Sequence, residues 1–367
     1  MNKSIIRLLS LALVLCMALG MSACGEDETP AEKQEEPTTT VGDTEAPATE
    51  PTTTTTTAPE LPQNPLTGLK DFDTKNDRPV AFAVPDESST IVQVGIEHAE
   101  MYFEAETEAG IPRMLAIFSS IDTLPERVGP VRSARPHFVK FVDALDAIYC
   151  HVGGSPDAKK ELSNRGIADV ENASVQDPTL TASDNFSWNR KAFTRSKVLA
   201  AIKNAGYRTT SNTDSPFTFG DKAGDQTASA IAVPISRSYT IGFTYNEKTG
   251  TYTKRRVTTK GSDTALTMDA HKTGSGGTIT VSNVIVMYDQ RSVLDYKDGG
   301  EYRIDFALKS GSGLLVSGGT ARQITWTRTD DQLSYYEADG KTPLELAEGK
   351  TFVCLTSKDL KSKTVVK

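Results

Sequence analysis

The sequence predicts an α/β N-terminal domain with a helix-covered sheet, followed by a β-rich C-terminal domain. Three observations carry this reading. Between Asn64 and about Tyr207, apolar strand-like runs alternate with helical patterns, the arrangement that builds a sheet with helices packed on it. After Ile231 the pattern changes to period two with strong turn signals, as in antiparallel strands joined by hairpins. Between them, residues 208–230 are rich in turn formers and poor in apolar residues, which marks a boundary.

The chain starts with Lys3 and Arg7 ahead of an apolar run, Leu8 to Ala18, that ends in small residues before Cys24. This is the layout of an export signal, and the run is too short for a comfortable membrane span. "MSAC" (Met21 to Cys24) resembles a bacterial lipoprotein signal, with Met21 where leucine is more usual. Residues 1–23 are therefore expected to be a signal peptide and Cys24 the lipidated first residue of the mature chain. An ordinary secretory signal cut near the same place also puts the protein outside the cytoplasm. One acyl chain anchors only marginally, so stable attachment to the outer face of the cell membrane implies two or three, palmitate among them. Loss of residues 1–23 removes Lys3 and Arg7 and takes the formal net charge from -8 to -10. An acidic mature chain is a poor nucleic-acid binder.

Residues 24–63 collapse to Thr, Pro, Glu and Ala, with six threonines in a row at Thr52 to Thr57. Such a segment cannot bury enough apolar surface to offset chain entropy and is expected to be a disordered tether. As a coil of about 40 residues it reaches roughly 35 Å.

The N-terminal domain, 64–230, has expected strands at 79–84, 99–106, 113–120 and 146–154 and helices at 136–145, 156–164 and 196–205, the last ending at Gly206. The C-terminal domain, 231–367, has a hairpin around Thr249-Gly250 and further alternating runs such as "GTITVSNVIVMYDQ" and "TFVCLT". Cys150 and Cys354 sit in apolar strand-like runs in the two domains and are read as buried free thiols.

Two stretches suggest a site. "VGPVRSARPHF" (128–138) sets Arg132 and Arg135 three apart, around Ser133, in a loop that ends at a helix N-terminus. Guanidinium forks and helix N-termini both bind anions. The alternative is that both arginines pair with internal acids such as Glu104, Glu106 or Asp146 and hold their own loop. "HVGGSPDAKKEL" (151–162) leaves a strand through Gly153 and Gly154 and enters a helix with Ser155 as N-cap and Pro156 at its first position. In an α/β layer both turns would face one edge of the sheet, and the glycines would let backbone N–H groups approach a ligand.

Other candidates have plain structural readings. His151 is either a base at this edge or a satisfied strand-end histidine. Glu104, Glu106 and Glu108 alternate and form either an acid/base group or a solvated or salt-bridged edge. Trp188 and Arg190 suit a sugar-binding rim, with core packing as the default for Trp188. The four histidines (98, 137, 151, 271) lack metal-ligand spacing and no C-x-x-C pair exists, so neither a metal nor a cofactor is expected. Neither a G-x-S-x-G elbow nor an S-x-x-K context is present.

"NPLTGL" (64–69), "GIPRMLAIF" (110–118), "GPVRSARP" (129–136) and "HVGGSP" (151–156), in this order, resemble the DUF3048 family of YerB-like bacterial lipoproteins. "VSNVIVMY" (281–288), "GGTARQITWTR" (318–328) and "ADGKTPLELAEGKTFVCL" (338–355) resemble that family's C-terminal domain. The resemblance implies a two-domain envelope lipoprotein and names no reaction. It carries over to Arg113, Arg132, Ser133, Arg135, His151, Gly153, Gly154 and Ser155 as candidate ligand-binding residues. The chain departs from the family's pattern at Pro85-Asp86-Glu87, where Asp-Asn is usual, and at Lys191-Ala192-Phe193-Thr194, which lacks the usual histidine and asparagine.

The functional expectation is a non-catalytic, membrane-anchored binding protein for an anionic cell-wall-related ligand. The alternatives are an enzyme acting on a phosphorylated or lipid-linked wall polymer, and a scaffold for cell-wall synthesis proteins.

Overall fold

Strand Met101–Glu106 is buried along its whole length, as are Val80–Pro85 and Pro112–Phe118, and these three lie side by side within a mixed sheet that has eleven strands among the described residues. The computed structural model describes residues 62–70, 77–86, 92–171, 173–177, 180, 190–258, 267–296, 302–329 and 332–367. The expected signal peptide, Cys24, nearly all of the tether and Trp188 lie outside the described residues.

Val80–Pro85 (β1), Met101–Glu106 (β2) and Pro112–Phe118 (β3) lie in the order β2-β3-β1 with antiparallel pairing. Ile148–Cys150 (β4) continues the sheet parallel to β1, and Asp169–Val170 (β5) closes that edge. The run expected at 146–154 becomes a strand of three residues, beyond which the chain turns at Gly153, which has a φ of 69°. Pro136–Asp143 (α1) starts directly after Arg135, with proline where no N–H is needed. Pro156–Arg165 (α2) is capped by Ser155, whose Oγ accepts from Ala158 N at 3.2 Å, and ends at the left-handed Gly166. Arg195–Ala205 (α3) ends the same way at Gly206.

Beyond residue 225 come Ala230–Pro234 (β6), Thr240–Asn246 (β7), Thr251–Val257 (β8), Met268–Ala270 (β9), Asn283–Asp289 (β10), Arg291–Tyr296 (β11), Tyr302–Phe306 (β12), Ser310–Ser317 (β13), Thr320–Arg328 (β14) and Thr351–Ser357 (β15). The expected hairpin at Gly250, with a φ of 67°, joins β7 to β8. Strands β6 to β9 form a second antiparallel sheet, and β11 and β12 form a separate ribbon.

The two sequence segments share one sheet. β15 pairs parallel with β2 on one side and parallel with β10 on the other, and β10, β13 and β14 continue outward as an antiparallel meander. Both faces of this sheet are covered. One core joins Phe82, Tyr102, Phe118 and Phe352 to Ile231, Phe243 and Tyr252 of the second sheet and to Val198 and Ile202 of α3. The other joins Phe103, Leu115, Ile285 and Val353 to Phe138, Phe141 and Val142 of α1, Ala158 and Leu162 of α2, and Ile304 and Phe306 of the ribbon. Phe141 stacks on Phe103 with ring centroids 3.8 Å apart. Burial on both faces explains why β10 and β15 read as continuous apolar runs rather than alternating ones. Cys150 and Cys354 are buried free thiols, and burial pushes both well up from the ordinary thiol range.

Candidate functional site

Segments 131–135 and 151–155 meet at the end of β1. Arg132 N donates to Ala83 O at 2.7 Å, Val152 N to Arg132 O at 3.0 Å and Ala134 N to Gly153 O at 3.0 Å, with a parallel bridge between Ala134 and Gly154. The two turns thus run side by side as a short continuation of the sheet. Gly153 occupies the left-handed region that favours glycine. A Cβ there meets only Ser133 Oγ, at 3.6 Å, so conformation rather than space makes that position a glycine.

Two arginines of this junction converge on one internal carboxylate. Arg135 Nε donates to Glu108 Oε2 at 2.5 Å, its Nη2 donates to Oε1, and its Nη1 donates to Ala134 O at 2.8 Å. Arg113 Nη1 donates to Ser133 O at 2.8 Å, while its Nη2 lies 3.9 Å from the same Glu108 Oε1. Burial pushes the Glu108 carboxyl up, but the hydrogen bonds from Arg135 and the charge of Arg113 outweigh it and hold the group down at about 2. The partner of Arg135 is therefore Glu108, not Glu104, Glu106 or Asp146. Glu106 takes a bidentate pair from Arg291, at 2.8 Å for both bonds, and Asp146 takes Arg78 and Arg208. Arg132 and Ser133 are half-buried beside them.

His151 is buried, with Nδ1 2.8 Å from Gly153 O and Nε2 3.2 Å from Asp169 Oδ2. Both ring nitrogens are engaged, so the ring acts as a tie between the Gly153 turn and β5 rather than as a free base. "NPLTGL" is a turn held by Asn64, whose Oδ1 accepts from Leu66 N at 2.9 Å and whose Nδ2 donates to Ser119 Oγ at 2.9 Å. It forms one wall of a cleft of about 300 Å³, completed by Leu145, Ser215, Phe217 and Phe219.

A second constellation lies between the two sheets. Lys254 of β8 is fully buried, and its Nζ lies 2.5 Å from Asp86 Oδ2, 3.1 Å from His271 Nδ1 and 3.5 Å from Glu104 Oε2. Asp86 follows β1, Glu104 is on β2 and His271 follows β9. Arg256 Nη2 and Gln93 Nε2 face Asp86 Oδ1 at 3.1 and 3.5 Å, and His271 Nε2 lies 2.8 Å from Gln93 Oε1. Both Glu104 oxygens are buried without a hydrogen-bond partner.

Burial pushes Asp86 up, but the charge and hydrogen bond of Lys254, with the charge of Arg256, outweigh it and keep its carboxylate well below the usual range. Glu104 is pushed well above that range, by burial first and by Asp86 beside it, against the opposing pull of Lys254. Burial and Lys254 lower His271 to about 3, keeping it neutral. Glu104 is thus not on a solvated edge; it is a buried carboxyl 3.5 Å from Lys254 Nζ, in surroundings that favour its protonated form.

Sequence reasoning passed over Lys254 and Arg256, although a signal was present. In "TYTKRRV" (251–257), period two puts Tyr252, Lys254 and Arg256 on one face. Tyr252 is fully buried there, so the cations share a core-facing row.

Residues 66–211 match the family model described as "Protein of unknown function (DUF3048) N-terminal domain", and residues 231–353 match its C-terminal counterpart. The chain belongs to the DUF3048 family. It is 32% identical over 300 residues, 79% of this chain and 84% of the other, to the Bacillus subtilis (strain 168) protein named "Putative lipoprotein YerB". It is also similar to the crystal structure of the Bacillus subtilis YerB protein, with a TM-score of 0.65 and 25% identity over 83% of this chain and 98% of that one. Among the described residues, no helix is long and apolar enough to cross a membrane.

Proposed function

We propose that this chain is an extracytoplasmic lipoprotein, anchored through Cys24 and the 24–63 tether, whose folded body binds an anionic cell-wall-related group at the junction of residues 131–135 and 151–155. The relative named as a lipoprotein and the export-type start of the sequence support the anchor. The observation that carries the binding reading is the convergence of Arg113 and Arg135 on the carboxylate of Glu108. That pair already accommodates a carboxylate, and Arg132 and the open Gly153 turn adjoin it. A ligand carboxylate or phosphate competes with Glu108 for the same fork.

The test is a thermal-shift and calorimetric comparison of the full chain with the Arg132→Ala/Arg135→Ala and Glu108→Gln variants, using soluble muropeptides and phosphorylated wall glycans. A ligand at 100 times its dissociation constant stabilises the wild type by about 2.7 kcal/mol. The double variant gains nothing, and Glu108→Gln binds more tightly because the internal competitor is gone. If no ligand shifts the wild type and the double variant only melts earlier, the arginines serve the loop alone.

A second reading, a scaffold for wall-synthesis proteins, is favoured by Val293 and Leu294 on the β11–β12 ribbon, which are 40% and 42% exposed. It predicts partner capture that survives the arginine changes and is lost when Val293 and Leu294 become serine.

A further inference from the structure

The Lys254 constellation has a geometry that an ion pair alone does not require. A buried salt bridge needs its remaining donors and acceptors satisfied, yet Glu104 places two unbonded carboxyl oxygens beside the pair. The other groups are oriented around one carbonyl. Gln93 Nε2 points at Pro85 O and Asp86 Oδ1, so its Oε1 accepts from His271 Nε2–H. The lone pair of His271 Nδ1 therefore faces Lys254 Nζ. Asp86 Oδ1 receives Arg256 and Gln93, while Asp86 Oδ2 faces Lys254 Nζ. One oxygen is held where negative charge would develop, and the other where a leaving group would depart.

We propose that Lys254 and Asp86 form an intramolecular amide in the folded protein, with Nζ joined to Cγ and Glu104 carrying the protons. The step balances without any outside reagent. Glu104 gives its proton to Asp86 Oδ2 and takes one from the ammonium, leaving an amine and a carboxylic acid. The amine lone pair attacks Cγ and forms the N–C bond, and Oδ1 takes the negative charge beside Arg256 and Gln93. A second proton passes from nitrogen through Glu104 to Oδ2. The Cγ–Oδ2 bond breaks, Oδ2 leaves as water and the nitrogen keeps one hydrogen.

Two physical effects favour the reaction. Holding the partners in contact supplies an effective concentration on the order of 10⁵ M or more. Lys254 and Glu104 are fully buried and Asp86 is 1% exposed, so the interior is poor in the water that drives amide hydrolysis. The product also replaces two buried charges by a neutral amide. It ties β8 of the second sheet to the end of β1 across a separation of 168 residues, linking the two family segments covalently.

The experiment is intact mass and peptide mapping of the purified full chain under denaturing conditions. The wild type is expected to be lighter by one water than its linear covalent structure, with a branched peptide joining Lys254 to Asp86 and no tryptic cleavage after Lys254. Lys254→Arg, Asp86→Ala and Glu104→Gln each restore the linear mass, and Glu104→Gln does so with both bonding residues in place. A wild type at linear mass, with Lys254 cleaved by trypsin, overturns the proposal, and this holds whether or not any variant folds. Loss of a water without the branched peptide also overturns it, because the dehydration then lies elsewhere.

Discussion

Arg135 lays one edge of its guanidinium on the carboxylate of Glu108, with Nε 2.5 Å from Oε2. This contact anchors the arginine loop, and in the proposed binding reading it is the contact an anionic ligand would displace. Glu108 sits on an irregular turn, Glu108–Gly110, in which Ala109 has a φ of 57°, a conformation uncommon outside glycine. The strained turn delivers the carboxylate to the fork.

Arg135→Ala leaves a partly buried carboxylate facing the more distant Arg113. The expected cost is about 2 kcal/mol, the range for hydrogen bonds to charged groups. It is read as a lower urea midpoint at unchanged slope. Arg135→Lys recovers only part of the loss, because an ammonium lacks the planar fork.

The same pair sets an acid limit. Glu108 is held at about 2 in the folded chain, against an ordinary value of 4.5. A depressed carboxylate contributes stability above its unfolded value and loses it as pH falls through its folded value. Stability is expected to fall between about pH 4.5 and 2 by about 1–3 kcal/mol from this group. Glu108→Gln flattens that part of a denaturation-midpoint profile against pH.

The reach of sequence reasoning is clear from individual residues. Ser155-Pro156 and Gly166 bracket α2 as capping chemistry requires, and Gly250 turns the β7–β8 hairpin, because these signals are local. The sharing of one sheet was not legible. Thr351–Ser357 reads only as an apolar run, and nothing local says that β2 and β10 flank it. The meeting of the Arg132 and Gly153 turns followed from strand-end logic, but the choice of Glu108 over its neighbours depends on an irregular turn that alternation does not foresee. The Lys254 row was legible in outline, since it shares a face with Tyr252.

Gly153 and Gly154 separate conformation from space. Gly153→Ala keeps room for its methyl but forces an L-residue to a φ of 69°, at a cost of about 1–2 kcal/mol. At Gly154 φ is not positive, and a Cβ meets Ala134 Cβ and Lys159 Cγ at 3.5 Å, an ordinary contact. Gly154→Ala is therefore expected to be close to neutral. Paired thermal melts check the difference, and equal losses would refute the account.

His137 is buried against Phe138 and Phe306. Burial, with Lys140 and Arg135 nearby, lowers it to about 3 from 6.5. Below about pH 6.5 the unfolded chain takes up a proton that the folded chain refuses, so stability declines from there toward pH 3. The slope from one such group is about 1.4 kcal/mol per pH unit. His137→Leu removes that increment from urea midpoints measured between pH 6.5 and 4. An unchanged slope would mean that the ring is charged in the folded state.

Lys254→Met tests how the interior tolerates the loss of its cation. The substitution fills nearly the same volume, so packing changes little, but Asp86 loses its closest partner in a site that is 1% exposed. Arg256 remains at 3.1 Å from Oδ1 and stays half-buried at the edge of the cluster, so compensation is partial. Removing one member of a buried pair costs about 3–5 kcal/mol, and a covalent link between the same residues would add the loss of its closed loop to that figure. Because Lys254 stands in the second sheet and Asp86 directly follows β1 of the first, the damage should spread. Amide hydrogen exchange is expected to accelerate both in β8 and at the end of β1, whereas a purely local defect would leave β1 protected.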